Sequence, residues 1–293
     1  MNIYLASLNS GSNGNCYYVG NDHDAVLIDA GISCRETERR MSRLGLSISK
    51  VRAVFISHEH TDHTRGVAVL SRKHKIPVYI TPLTHKHSRL PLDQALLKRF
   101  SADEPVSVAG LTVNSFQKPH DGIDPHSFTV TCSGITVGVF TDIGTPCEPL
   151  TDHVGRCHAA FLEANYDETM LEQGRYPVYL KRRIRGDQGH LSNVQALEIF
   201  SNHRSPFMKL LVLSHLSANN NKPEIVRDLF APHANGTRIE IASRYEESEV
   251  FCISDNFMIN SDTLTTVRPH PAFRRGSAAE SQYSLFEKFE LHE

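Results

Sequence analysis

The sequence predicts an α/β protein in which two β-sheets stack face to face and carry helices on their outer sides. Two groups of short strand-like segments, each followed by alternating strands and helices, support this fold class. The chain has 293 residues, of which 40% are hydrophobic, so it can bury a full core. Because sheet-rich folds of this length commonly form one unit, we predict a single large domain.

Three β-rich segments separated by turn residues occupy the start of the chain. They are Asn2 to Leu8, Cys16 to Val19 and Ala25 to Ile28. The first connection, Asn9-Ser-Gly-Ser-Asn-Gly-Asn15, is rich in turn-forming residues. A helix is expected from Ser33 to Leu44, with Ser33 as its cap and Gly45 just beyond its end. This part of the chain therefore predicts a small antiparallel meander followed by a helix.

Strands and helices alternate in the next fifty residues. We expect strands at Arg52 to Ser57 and Val78 to Thr81, a helix at Thr64 to His74 between them, and a helical stretch around Leu92 to Phe100. This alternation is typical of an α/β sheet with crossover helices.

A second group of strands follows, at Val106 to Val108, Leu111 to Phe116, Ser127 to Cys132 and Ile135 to Thr141. Ser133-Gly134 joins the last two at hairpin length. Three further strands are expected at Ala159 to Glu163, Leu210 to Leu213 and Arg238 to Ala242, with helices at Asn193 to Asn202 and Pro223 to Phe230. A second meander followed by crossovers is the simplest interpretation.

Composition excludes several functional classes. The formal net charge of −2 excludes a generally polycationic nucleic-acid coat. Six cysteines without a CxxC pair do not predict a zinc ribbon or a disulfide scaffold. No apolar run approaches the ~20 residues of a membrane span, and no leader-like segment begins the chain. We therefore expect a cytoplasmic protein with no membrane association.

Histidine is the most informative residue type, with 17 copies. The predicted strand at Arg52 to Ser57 runs directly into His58-Glu-His-Thr-Asp-His63. In an extended loop, residues i and i+2 point the same way, so His58 and His60 can hold one ion. Asp62 and His63, at the start of the next helix, can face a second ion. Four ligand-type residues in six positions predict a metal site.

This motif resembles that of the metallo-β-lactamase fold hydrolases, and the resemblance implies further ligands at strand ends. By resemblance, the two metal ions are held by the following residues: His58, His60 and His120 for one, Asp62, His63 and His215 for the other, with Asp142 bridging. Asp29, in Leu27-Ile-Asp-Ala-Gly31, would brace the metal loop without binding metal. This donor set suits Zn²⁺ but also admits Mn²⁺ or Fe.

Two adjacent ions would lower the pKa of a shared water and neutralise charge on an oxyanion, so hydrolysis is the expected chemistry. Esters, lactams, thioesters and phosphodiesters remain open as substrates from the metal motif alone.

Two later segments resemble the phosphodiesterase side of this superfamily, as in RNase Z. Glu163, in Leu162-Glu-Ala-Asn165, would orient His190, which would contact the scissile phosphate. Ser192 or Asn193 would cap the next helix, whose N–H groups can bind an anion. The alternative is a surface glutamate and an ordinary histidine near a helix cap.

The combined motifs, over residues 1–255, are most similar to those of the YycJ/WalJ branch. That branch implies DNA processing, with 5′ to 3′ exonuclease activity, in repair or replication. We therefore predict a catalytic domain at residues 1–255, and Asp62, His190 and Glu163 as its catalytic residues.

Cations cluster between Glu163 and His190, in Lys181-Arg-Arg-Ile-Arg185. Lys181, Arg182, Arg183 and Arg185 could follow a nucleic-acid backbone beside the phosphate site. A solvated helix face would have the same composition, so both interpretations stay open.

Residues 256–293 are predicted to form a tail, flexible from Thr265 to Ser281. Its Gln282-Tyr-Ser-Leu-Phe286 segment resembles the peptide by which bacterial enzymes dock on the replication sliding clamp. Leu285 and Phe286 would fill an apolar pocket and Gln282 would form hydrogen bonds. Alternatively, the tail forms an amphipathic helix that covers the protein's own surface.

The sequence thus predicts a dinuclear metal-dependent phosphodiesterase acting on nucleic acid, with a DNA exonuclease as the specific form. A hydrolase of a small ester, thioester or lactone is the enzymatic alternative. A non-catalytic DNA or clamp adaptor with structural metals is the alternative from another class. DNA versus RNA, polarity, the native metal and the oligomeric state stay open.

Overall fold

The computed structural model describes residues 2–254. Its strands are β1 (Asn2–Asn9), β2 (Cys16–Gly20), β3 (Ala25–Ile28), β4 (Val51–Phe55), β5 (Val78–Tyr79), β6 (Leu97–Lys98), β7 (Val106–Val108), β8 (Leu111–Gln117), β9 (His126–Cys132), β10 (Ile135–Phe140), β11 (Ala159–Glu163), β12 (Leu210–Ser214), β13 (Arg238–Ile241) and β14 (Phe251–Ser254).

Its α-helices are α1 (Cys34–Arg43), α2 (Thr61–Thr64), α3 (Val67–His74), α4 (Pro82–Ser88), α5 (Glu148–Val154), α6 (Glu168–Gln173), α7 (Val178–Arg185), α8 (Asn193–His203) and α9 (Pro223–Phe230). Two short 3-10 helices lie at Ile48–Lys50 and Ala231–His233. In the described part of the chain, no helix is both long and apolar enough to span a membrane.

The strands form two seven-stranded sheets within residues 2–254. The first sheet has the order β14-β1-β2-β3-β4-β5-β6, and the second has the order β13-β12-β11-β10-β9-β8-β7. Each sheet combines an antiparallel meander with parallel strands: β3 is parallel to β4, and β10, β11 and β12 are parallel to one another. Both meanders and the mixed sheets predicted from the sequence are therefore confirmed.

Alternating side chains build three apolar layers. Along β12, Leu210 and Val212 enter the core between the sheets, whereas Leu211 and Leu213 pack toward helices α5, α8 and α9. The outer face of the first sheet packs against α1 and α3. Strands buried on both faces read as continuous apolar runs, as these do. The layer order is αββα, as predicted.

The helical stretch predicted around Leu92 to Phe100 is wrong. Leu97–Lys98 is instead strand β6, which pairs in parallel with β5, and the helix of this region is the earlier Pro82–Ser88. Thr81 caps that helix, and Pro82 stands in its first turn, where its missing N–H costs nothing. The prediction followed leucine spacing, but pairing with an existing sheet edge determined the structure.

The helix predicted at Thr64 to His74 is divided at Gly66 into α2 and α3. Gly66 N donates a hydrogen bond to Ala30 O, and a Cβ at this position would lie 2.0 Å from Ile32 O. The loop that follows β3 therefore packs directly against the backbone at Gly66, and this close contact interrupts the helix.

Candidate active site

The candidate site lies where parallel strands of both sheets end. In the first sheet, Ile28 of β3 is in register with Phe55 of β4. In the second, Phe140 of β10 faces Leu162 of β11, and Glu163 faces Ser214 of β12. Because carboxyl ends of parallel strands meet at one edge, residues that follow these strands converge although they are distant in sequence.

A three-histidine group forms the first half of the site. The ligand atoms of His58, His60 and His120 all lie within 4.8 Å of one another. His58 Nε2 is 3.0 Å from His60 Nδ1, and both rings pack edge-on against His120. His120 Nδ1 donates to Gly189 O at 3.0 Å, which leaves its Nε2 directed at the group. The structure thus brings together the three histidines predicted for one ion.

A second group joins carboxylates and imidazoles. The ligand atoms of Asp62, His63, Asp142 and His215 lie within 4.8 Å of one another. His63 Nε2 is 3.3 Å from Asp142 Oδ2, and His215 Nε2 is 3.5 Å from Asp142 Oδ1. The three residues predicted for the second ion are therefore adjacent, together with Asp142, the predicted bridge, whose ligand atoms group with this set and not with the three histidines.

Several buried polar atoms of the site have no hydrogen-bond partner among the described residues. They are His120 Nε2, Asp142 Oδ2 and His215 Nε2. A buried polar atom without a partner costs free energy, so such atoms need an explanation. Each belongs to a predicted ligand and lies in one of the two groups, so the donors fit a pair of divalent cations.

The charges of the two groups differ. Burial lowers the pKa of His58 well below its usual value and that of His120 to about 3, so both are neutral nitrogen donors. Burial also disfavours charge on His215, but Asp142, Asp62 and Glu163 raise its pKa to about 10. The second group is therefore an anionic site.

Asp29 contacts both ends of the loop that carries the histidine motif, Ser57 and His63. Its Oδ1 accepts a hydrogen bond from Ser57 N at 2.8 Å, and its Oδ2 lies 2.7 Å from His63 Nδ1. The Ser57 hydroxyl adds a bond to Asp29 Oδ2 at 2.8 Å. A carboxylate that holds the far nitrogen of a histidine fixes its orientation and tautomer.

Three site residues have left-handed backbone conformations, with φ of 61° at Asp29, 55° at Asp142 and 56° at His215. This region is uncommon for residues other than glycine and is often found at functional sites. Asp29 and His215 directly follow β3 and β12, and Asp142 is the second residue after β10, so all three lie at the shared edge.

Glu163 and His190 form the pair predicted for phosphodiester cleavage. Glu163 is fully buried, and its Oε1 lies 2.7 Å from His190 Nδ1. The same oxygen lies 3.0 Å from His215 Nδ1, so Glu163 orients two histidines rather than one. Despite burial, His190 and His215 lower the pKa of Glu163 to about 2 and keep it ionised. The His190 ring is 22% exposed and lies between those of His120 and His215.

Ser192 caps α8, as predicted. Its hydroxyl accepts from Gln195 N at 3.2 Å, while Gln195 Oε1 accepts from Ser192 N at 2.9 Å, which completes a capping box. Asn193 donates to Asn221 Oδ1 at 3.0 Å. Both residues are buried, so the structure gives them packing and capping partners, and phosphate binding by them stays a prediction.

The predicted basic cluster lies on α7, a helix that the sequence interpretation did not assign. Arg183 contacts Asp121 Oδ2 at 2.7 Å, and Arg185 contacts Glu172 Oε2 at 2.7 Å. Lys181 bonds to the Glu172 carbonyl oxygen. Within residues 2–254, only Arg182 of this group has neither an ion pair nor a side-chain hydrogen bond. Much of the local positive charge is therefore compensated.

Other supporting residues were not singled out from the sequence. Asn15 Nδ2 lies 3.0 Å from His63 Nε2 and 3.2 Å from Asp62 Oδ2. Lys118 is buried and donates to Thr141 O at 2.6 Å, beside Asp142. Their positions in the Gly-rich loop and next to His120 were the available signals, but turn-forming asparagines and lone lysines are too common to be diagnostic.

The fold and the two ligand groups define a class of metal-dependent hydrolase. A profile described as the Metallo-beta-lactamase superfamily matches residues 10–159. The chain belongs to this superfamily, and it is an enzyme of the hydrolase type.

Two curated relatives place it more closely. The chain is 34% identical over 232 residues to the protein named exodeoxyribonuclease YycJ from Bacillus anthracis, covering 78% of this chain and 87% of the relative. It is 29% identical over 223 residues to exodeoxyribonuclease WalJ from Streptococcus pneumoniae, covering 74% and 83%. The predicted relation to the YycJ/WalJ branch is confirmed.

A crystal structure of the metallo-beta-lactamase fold protein YhfI from Bacillus subtilis superimposes with a TM-score of 0.68 at 15% identity. The match covers 86% of this chain and 99% of that one, and at this identity it supports the fold alone.

The predicted clamp-binding residues Gln282, Leu285 and Phe286 lie outside the described residues, as does the whole predicted tail.

Proposed function

We propose that this protein is a metal-dependent nuclease, specifically a DNA exonuclease of the cytoplasm. The observation that carries the proposal is the buried Glu163 carboxylate, which holds His190 at 2.7 Å beside the two ligand groups. The names of the two relatives, both exodeoxyribonucleases, support DNA as substrate. The 5′ to 3′ direction and a role in repair or replication are proposed from the resemblance of the motifs.

Two divalent cations fit the donors, and we propose Zn²⁺, with Mn²⁺ or Fe as the ions to compare. His58, His60 and His120 would hold one ion; Asp62, His63 and His215 would hold the other; Asp142 would contact both. Such ions supply Lewis acidity that activates water and neutralises charge on phosphate.

His190 acts on the leaving group in this proposal. Its Nδ1 proton is held by Glu163, so Nε2 is the nitrogen that can face a substrate. An imidazolium in this position can donate a proton to the leaving oxygen or stabilise negative charge on phosphate. His215 shares the same carboxylate oxygen, so Glu163 couples the orientation of a ligand residue to that of the proton donor.

End-labelled single-stranded and duplex DNA and RNA, incubated with the metal-reconstituted full chain, test the proposal. We expect a ladder from DNA whose direction gives the polarity. Asp62→Ala should lose bound metal and activity together. His190→Ala should retain the metal but lose about 10²- to 10⁴-fold in rate. Absence of cleavage of every nucleic acid, with turnover of a small ester or lactone, would replace the proposal with the alternative hydrolase.

The tail segment is proposed to bind the replication sliding clamp through Gln282, Leu285 and Phe286. A pull-down with purified clamp should retain the full chain and lose a variant without residues 281–293. Leu285→Ala with Phe286→Ala should have the same effect as the deletion. Equal retention of all three proteins would reject this partner.

A further inference from the structure

A cavity outside the two ligand groups adjoins the candidate active site. It has a volume of about 220 Å³ and lies between the loop after β12, the start of α9 and the segment after β13. Leu216, Pro223 and Ile241 contribute apolar surface, and Arg227, Arg244 and Tyr245 stand at its polar side. This combination of an apolar surface, a ring and two cations is suited to a planar, negatively charged ligand.

Hydrogen bonds connect the walls of the cavity to the candidate metal-ligand groups. Its wall residue Leu216 directly follows the predicted ligand His215. His215 N donates to Ser10 Oγ at 2.8 Å, and Ser10 N donates to Ser243 O at 3.2 Å. The same serine therefore holds a predicted ligand on one side and the segment that carries Arg244 on the other.

The cations of this cavity are free of carboxylate partners within residues 2–254. Arg227 is exposed and forms no ion pair there. The Arg244 guanidinium donates to Ser12 Oγ at 3.5 Å and lies 5.9 Å from the centroid of the Tyr245 ring, and neither contact neutralises its charge. By contrast, Arg183 and Arg185 on α7 each face an acidic residue. The cavity thus offers less compensated positive charge than the cluster predicted from the sequence.

We propose that this cavity is a nucleotide subsite for the strand that enters the active site. One base packs on Tyr245 and the apolar lining, while Arg227 and Arg244 contact the adjoining phosphates. Tyr245 is 65% exposed, which leaves its ring available for stacking. Sequence-tolerant stacking on aromatic side chains combined with backbone contacts to arginine is the usual way proteins hold single strands. The proposal rests on the proposed nuclease function and adds the residues that hold the strand.

Kinetics on two substrates test the subsite. A single-stranded DNA oligonucleotide has bases and neighbouring phosphates, whereas bis(p-nitrophenyl) phosphate has only a phosphodiester. Tyr245→Ala should raise KM for DNA about tenfold, with kcat nearly unchanged, and should leave turnover of the small diester unaffected. Tyr245→Phe should restore the KM for DNA. Arg40 Nη2 donates to the backbone oxygen of Tyr245, and this bond does not depend on the Tyr245 side chain, so folding is expected to be preserved.

Arg227→Gln should also raise KM for DNA, and the matched control is Arg72→Gln, an exposed arginine on α3 that should behave as wild type. On an oligonucleotide with abasic residues, wild type and Tyr245→Ala should have equal KM. An unchanged KM of Tyr245→Ala on intact DNA, or an equal loss on the small diester, would overturn the subsite. Failure of the wild type to cleave any nucleic acid would instead overturn the proposed function.

Discussion

At the scale of single residues, the site depends on buried groups whose partners are shared. Glu163 illustrates this most clearly, because its two oxygens accept bonds from four donors. These are His190 Nδ1, His215 Nδ1, Ile143 N and Leu191 N, at 2.7, 3.0, 2.7 and 3.3 Å. A fully ionised carboxylate is the side chain that can accept all of them.

Glu163→Gln should lower kcat for DNA about 10- to 100-fold, because an amide nitrogen cannot accept the bonds that orient the two histidines. Metal content should fall in part as well, since His215 loses its support. The control is Glu148→Gln, an exposed glutamate at the start of α5. Wild-type kcat in Glu163→Gln, measured at saturating DNA, would contradict the orienting role.

At the scale of elements, helices α7 and α8 border the site in different ways. The N-terminus of α8 is closed by its own capping box and by the bond from Asn193 N to Tyr166 O, at 2.9 Å. The cations of α7 are largely tied to Asp121 and Glu172. The N-terminus of α8 therefore has fewer free N–H groups, and α7 has less free positive charge, than the sequence of each helix suggests.

Ser192→Ala should reduce the free energy of unfolding by about 1 kcal/mol, as is usual for loss of an N-cap. Ser33→Ala is a matched control at α1, because Ser33 Oγ accepts from Glu36 N at 3.2 Å, the distance found at Ser192. Denaturant unfolding measures both. A rise in KM for DNA in Ser192→Ala alone would favour a phosphate contact over a purely capping role.

For α7, the salt dependence of DNA binding distinguishes free from paired cations. Replacing Arg182, Arg183 and Arg185 together by Ala should flatten the slope of log K against log salt. Arg182→Ala alone should account for much of this change. If Arg182 makes one phosphate contact, its loss should reduce the magnitude of the slope by about one. Titrations at several salt concentrations measure this, and an identical slope in the triple variant would remove α7 from the DNA-binding surface.

At the scale of the whole molecule, the predicted metal ligands join the two sheets. His58 to His63 follow β4 of the first sheet, whereas His120, Asp142 and His215 follow strands of the second. Between the sheets, the Tyr17 and Phe161 rings lie 4.9 Å apart in a shared core. Bound cations would therefore act as a link across the sheet interface as well as in catalysis.

Removing metal with a chelator should lower the thermal unfolding temperature by about 5 °C or more. An ion present at 100 times its Kd adds about 2.7 kcal/mol to stability if it binds only the folded state. Adding Zn²⁺ or Mn²⁺ back should restore the transition. The double variant Asp62→Ala with His120→Ala, which removes a ligand from each group, should show a smaller chelator effect; an equal effect would place the stabilising metal elsewhere.

Local patterns in the sequence determined much of this protein. Strand alternation, the Ser33 and Ser192 caps, and the spacing of His58 to His63 act over a few residues, so they can be read directly. The remaining predicted ligands and Glu163 were identified through family resemblance, because nothing local shows that they meet.

Tertiary structure decided what depends on contacts between distant segments. Leu97–Lys98 became a strand because β5 offered an open edge, and the helix after the histidine motif broke at Gly66 because the chain near Ala30 passes against it. Ion pairs from Asp121 and Glu172 reduced the free charge of α7. Each outcome depends on which distant segments come into contact in the fold. A local sequence pattern does not contain that information, because it describes only residues close together along the chain.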